Sequence, residues 1–87
     1  MHAGERDDHW GDWLRARLFD RRLVSISGEL DDTVATRAAT ELMTLDADGD
    51  DAVRLLIDSG GGTLEAALML MDVIDLLGVP VRATCVG

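Results

Sequence analysis

The sequence predicts an α/β fold in which parallel strands alternate with helices, and three observations carry that prediction. Runs of strand length, apolar or β-branched, fall at 23–27, 52–57 and 81–86. Between them lie two longer stretches whose apolar residues recur three and four positions apart, the period of a helix. The middle run, Ala52-Val53-Arg54-Leu55-Leu56-Ile57, is almost continuously apolar, which marks a strand covered on both faces. Strand, helix, strand, helix, strand in that order implies parallel pairing through right-handed crossovers.

In chain order, residues 1–11 are polar and predict a loose N-terminal segment, where His2 and His9 have no partner at ligand spacing. From Asp12, a capping residue, Trp13, Leu14, Leu18 and Phe19 give a short helix whose apolar face needs a neighbour. Leu23-Val24-Ser25-Ile26-Ser27 is the first strand, with a turn at Gly28. Asp31 or Asp32 then caps a helix in which Val34, Ala38, Leu42 and Leu45 form a stripe beside Ala35, Ala39 and Met43, with Arg37, Thr40, Glu41 and Thr44 outward. Asp46-Ala47-Asp48-Gly49-Asp50-Asp51 ends that helix. Asp46, Asp48 and Asp50 alternate like the first ligands of a calcium loop. That match fails because Asp51 stands where the sharp turn needs glycine and Ile57 where a bidentate glutamate is needed. The segment Leu64 to Leu77 is apolar almost all round, broken only by Glu65, Asp72 and Asp75, so more than one neighbour should bury it; Gly78 and Pro80 stop it. The last strand, 81–86, contains the single cysteine, Cys85, expected as a small core residue.

Composition narrows the functions. A chain of 87 residues buries only about 60 to 65% of its unfolded surface, so a core of its own is marginal. With aromatic content of 3%, that core must come from Leu, Val, Ile, Met and Ala. The charge of −9, from 17 acidic and 8 basic residues, argues against nucleic acid and membrane surfaces as partners. Arg15, Arg17, Arg21 and Arg22 are interleaved with Asp12 and Asp20 and read as a solvated helix face. A polar N-terminus without a signal peptide leads to the expectation of a soluble, cytoplasmic protein. One cysteine forms no internal disulfide and lies at no metal-ligand spacing, so no metal is expected.

The stretch that carries chemistry is Ile57-Asp58-Ser59-Gly60-Gly61-Gly62-Thr63-Leu64-Glu65, where a strand runs through three glycines into a helix. A Walker A loop needs Gly-Lys-Ser or Gly-Lys-Thr, and no lysine is present there. A dinucleotide fingerprint needs a third glycine where Glu65 stands. Ser59 is no nucleophile elbow, because Ile57 holds the place of the leading glycine and no histidine follows. Two possibilities stay open: backbone N–H groups of Gly61 and Gly62 aimed at an oxyanion, or a tight strand-to-helix turn with no further role.

The run Leu18-Phe19-Asp20-Arg21-Arg22-Leu23-Val24-Ser25-Ile26-Ser27-Gly28-Glu29-Leu30, the glycine stretch and Thr84-Cys85-Val86-Gly87 together resemble the N-terminal part of the Clp protease proteolytic subunit family. Order and spacing agree across roughly residues 13–87, and residues 12–87 are expected to form the N-terminal part of such a domain. The family's Ile-Asn-Ser-Pro-Gly-Gly-Ser is here Ile57-Asp58-Ser59-Gly60-Gly61-Gly62-Thr63, so Asp replaces Asn and Gly replaces Pro.

The resemblance implies an incomplete spiral of β-β-α units, as in Clp proteases and crotonases, and a serine endopeptidase acting on unfolded polypeptide without a cofactor. It implies Gly62, with Gly61, as oxyanion N–H donors, and Thr63 and Leu64 as main-chain partners of the substrate. It also implies heptameric rings of like subunits and an ATP-dependent chaperone ATPase as partner. The serine, histidine and aspartate of the triad are expected beyond Gly87, none within 1–87, so this chain alone is expected to be inactive. A crotonase-like acyl-CoA enzyme and a non-catalytic ring subunit are the alternatives.

Overall fold

The computed structural model describes residues 3–86. The elements are α1 (Ala3–Phe19), β1 (Leu23–Ser27), α2 (Asp32–Asp48), β2 (Val53–Asp58), α3 (Leu64–Leu76) and β3 (Val81–Cys85). The strands form one parallel sheet in the order β1-β2-β3, with Val24 opposite Leu55 and Leu55 opposite Ala83. The α/β prediction with alternating parallel strands is therefore met, and β2 is the central strand.

Helices α2 and α3 cross the same face of the sheet and pack against each other. Alternation along β1 and β2 turns Val24, Ile26, Val53 and Leu55 toward them, and all four are buried. Above these lie Ala38, Ala39, Leu42 and Leu45 of α2 and Leu70 of α3, with Val79 sealing the end. The alanines keep α2 close to the sheet, and the leucines fill the space between helix and strand. Each fully buried Val, Ile or Leu contributes roughly 1.5–3 kcal/mol, which makes this layer the chief support of the fold.

Local chemistry fixes the ends of the elements. Asp31 is the cap of α2, its Oδ1 accepting from the Val34 N–H at 2.9 Å. The acidic last turn of α2 has a structural use: Asp46 Oδ1 accepts from the N–H groups of Gly78 and Val79 at 2.9 and 3.0 Å. The end of α2 is thereby tied to the loop that enters β3. Arg22 takes a left-handed backbone conformation, φ 59°, just before β1. Its guanidinium donates to the Asp51 carbonyl at 2.6 Å and to the Gly49 carbonyl at 3.4 Å. Among the described residues no three carboxylate, histidine or cysteine groups could hold a metal ion, and no helix is long and apolar enough to cross a membrane.

Several expectations are corrected. The first helix starts at Ala3 and not at Asp12, so the expected loose segment 1–11 is helical from residue 3; residues 1 and 2 lie outside the described part. Met43, expected in the buried stripe, is 50% exposed, because α2 rolls its alanine side onto the sheet. Arg37 and Glu41, expected outward, are half-buried and paired, and Arg37 also donates to the Ser25 carbonyl at 2.7 Å. On α3 only Ala66 and Leu70 are buried, while Leu64, Leu68, Met71 and Leu76 are exposed. Among the described residues the helix layer covers β2 on one face, since both crossovers fall on the same side; on the other face Arg54 is exposed and Leu56 half-buried. Cys85 is exposed as well, because β3 is an edge of the described sheet.

Candidate functional site

The glycine stretch lies at the C-terminal end of β2, where the chain leaves the sheet for α3. After β1 the chain turns at Gly28, whose φ of 81° favours glycine, and its N–H donates to the Asp58 carbonyl at 3.1 Å. Leu30 then meets the glycines. Its N–H donates to the Gly61 carbonyl at 2.9 Å, and its carbonyl accepts from the Thr63 N–H at 3.0 Å. These two bonds make a parallel rung between Leu30 and Gly62 outside the main sheet. Each of α2 and α3 is thus preceded by two extended pieces, one in the sheet and one in the rung, which is the β-β-α unit the resemblance implies.

The three glycines have different duties. A side-chain carbon on Gly62 would collide with the Leu30 carbonyl and lie 2.7 Å from Leu30 Cβ, so only glycine allows the two backbones this close. Added carbons on Gly60 or Gly61 would meet nothing within 4 Å. Those two positions are open, and the exposed surface there is backbone.

Hydrogen bonding identifies what remains available. In a parallel rung of this kind the N–H and carbonyl of the middle residue point away from the partner, so Gly62 turns its own groups outward; its N–H has no acceptor among the described residues. The Gly61 N–H is engaged only by Ser59 Oγ at 3.4 Å, at the long end of the range. The Ser59 hydroxyl donates to the Gly61 carbonyl at 2.7 Å, which ties the loop to itself.

Thr63 caps α3. Its Oγ1 accepts from the Ala66 N–H at 3.1 Å, its own N–H goes to Leu30, and its carbonyl accepts from the Ala67 N–H at 3.2 Å. Both main-chain groups of Thr63 are therefore engaged, and the open edge is at Gly62, one residue earlier. Leu64 opens α3 with its side chain 72% exposed.

Two open depressions flank the loop. One, about 440 Å³, is lined by Gly28, Glu29, Gly60 and Gly61; the other, about 400 Å³, runs from Leu30 past Gly62 to Leu64 and Ala67. A third, about 540 Å³, lies between α1 and α2 and shares no residue with the loop. Four of its charged groups are paired, Arg15 with Asp12 at 3.0 Å and Arg37 with Glu41, and Asp20 also lines it. Residues 11–86 contain no histidine, so no serine–histidine pair exists among them. Sequence reasoning found the glycines and missed Leu30; the available signal was the extra Glu29-Leu30 step between the Gly28 turn and the Asp31 cap.

An α/β layer whose central strand ends in an exposed glycine backbone, with no serine–histidine pair among residues 11–86, defines the class of site. Residues 5–87 match the model of the Clp protease family, and the chain belongs to that family of peptidases. The match begins inside α1. The chain is 30% identical, over 74 residues, to the ATP-dependent Clp protease proteolytic subunit of Carsonella ruddii (strain PV), covering 85% of this chain and 38% of that protein. It is 33% identical over 86 residues to the ATP-dependent Clp protease proteolytic subunit 2 of Bacillus licheniformis, covering 98% of this chain and 43% of that protein. The chain thus spans about two fifths of the length of these relatives.

Proposed function

We propose that this chain supplies the oxyanion cradle and the substrate-pairing edge of a Clp-type serine peptidase that cleaves extended, unfolded polypeptide in the cytoplasm. The observation that carries the proposal is the outward N–H of Gly62, which has no acceptor among the described residues while the Gly61 carbonyl and the Thr63 N–H on either side of it are held by Leu30. When a serine adds to a peptide carbonyl, the carbonyl oxygen gains charge, and N–H groups of Gly62 and Gly61 would receive it. One such donor typically contributes about 3–4 kcal/mol to the transition state. An extended substrate would pair with the free edge of Gly62 as an added strand, which needs no side-chain recognition and suits unfolded chains of any sequence.

In this proposal the serine, histidine and aspartate lie outside residues 1–87, and the chain taken alone hydrolyses nothing. Like subunits in heptameric rings would cover the exposed leucines of α3, and an ATP-driven chaperone would deliver the unfolded chain; the names of the two relatives support the ATP dependence. The test is to express the product of the complete reading frame and to measure cleavage of a fluorogenic peptide. Hydrolysis abolished by a serine-directed fluorophosphonate is the expected result. A folded product that cleaves acyl-CoA thioesters, or nothing, would refute the proposal.

A further inference from the structure

The depression beside Gly60 and Gly61 has one side chain able to discriminate among ligands. Of its four lining residues three are glycines, and the fourth is Glu29. The backbone on either side of Glu29 is held: the Gly28 N–H donates to the Asp58 carbonyl at 3.1 Å, and the Leu30 N–H donates to the Gly61 carbonyl at 2.9 Å. Glu29 is therefore fixed at its Cα beside the glycines, while its carboxylate is exposed and has no ion pair or hydrogen bond among the described residues. The segments that build the site hold no cation to neutralise it. Residues 23–36 and 55–81 contain no basic residue, whereas Asp32, Asp58 and Glu65 are exposed there.

We infer that Glu29 sets a preference for a basic side chain in the substrate, an inference that rests on the oxyanion cradle and pairing edge at Gly62. Gly61 lines both depressions at the loop, so a chain laid along the outer edge of Gly62 runs one way over Thr63 and Leu64 and the other way over Gly61 and Gly60. Extended residues rise about 3.3 Å each, so the substrate residue about two positions from the one facing Gly62 comes over the Glu29 depression. A volume of about 440 Å³ takes a lysine or arginine side chain, and the bare glycines leave its path clear. The carboxylate also acts on the chemistry. Negative charge gathers on the substrate carbonyl oxygen as the serine adds to it, and a fixed negative charge nearby opposes that step. A substrate cation beside Glu29 cancels the opposition in the transition state, so a basic side chain should raise kcat as well as lower KM. A neutral side chain leaves the opposition standing, and an acidic one adds to it.

The test uses the product of the complete reading frame and three internally quenched peptides, Ala-Xaa-Ala-Leu-Ala-Xaa-Ala with Xaa as Arg, Gln or Glu, which place the variable side chain two positions on either side of the leucine. Expected is a kcat/KM about two- to fivefold higher for the Arg peptide than for the Gln peptide and lowest for the Glu peptide, with differences that shrink as salt is raised. Glu29→Gln should bring the Arg and Gln peptides level, and Glu29→Lys should favour the Glu peptide. Hydrolysis of the Arg and Gln peptides at equal rates, or an Arg preference that survives both substitutions, would overturn the role of Glu29 and leave the cradle at Gly62 standing. Hydrolysis of none of the three would remove both.

Discussion

Replacing Gly62 by alanine tests the rung that frames the site. The new Cβ would sit 2.7 Å from Leu30 Cβ and 2.9 Å from the Leu30 carbonyl carbon, so one of the two segments must move. Overpacking of this kind costs about 1–3 kcal/mol. The rung bonds, Leu30 N–H to Gly61 at 2.9 Å and Thr63 N–H to Leu30 at 3.0 Å, contribute about 0.5–1.5 kcal/mol each and weaken when the segments separate. A total of about 2–4 kcal/mol follows, against about 5–15 kcal/mol for a whole domain. Gly61→Ala is the control, because its added carbon enters open space; a change within about 1 kcal/mol is expected there. Urea unfolding of the complete product gives the comparison, and with a slope of about 1–3 kcal/mol/M the Gly62 variant should shift its midpoint by about 1 M or more. Equal midpoints for the two variants would show that the close approach to Leu30 does not support the fold.

Three further outcomes are expected. Asp46→Ala removes the acceptor of two loop N–H groups and should destabilise by about 1–2 kcal/mol, while Asp46→Asn, which keeps an acceptor oxygen, should cost less than half as much in the same unfolding assay. Thr63→Ala removes the cap of α3 and should cost about 1 kcal/mol, whereas Thr63→Ser restores most of it; faster amide exchange at Ala66 in the alanine variant is the local check. Residues 1–87 expressed alone should fold weakly or in a concentration-dependent way, since Leu64, Leu68, Met71 and Leu76 are exposed. A cooperative melt of the dilute monomer above about 45 °C would contradict that expectation.

The strands and both main helices were legible because each is a local pattern: β-branched runs, a stripe of alanine and leucine, an aspartate or threonine at a helix start. The start of α1 was not legible, because residues 3–11 hold only Ala3 and Trp10 as apolar side chains and so show no helical stripe to separate a solvated helix from a loose segment. Exposure was misread where it depends on distant partners. An apolar helix such as α3 and a continuous strand such as β2 announce two covered faces, but the described residues provide one cover, the α2 and α3 layer. The glycine stretch could be found by eye, yet nothing in its composition separates Gly62 from Gly60. That distinction comes from Leu30, a residue 32 positions earlier in the numbering that reaches Gly62 only through the fold.

The rung between Leu30 and Gly62 stands one residue before each of two helix caps, Asp31 and Thr63. It therefore sets the relative phase of α2 and α3, like a crossbar fastened to two axles. Pull applied to a strand paired along the outer edge of Gly62 would pass through the Leu30 backbone into both helices and the core beneath them. Such a load path would let the loop stay bare and unguarded by side chains while resisting traction on a bound polypeptide.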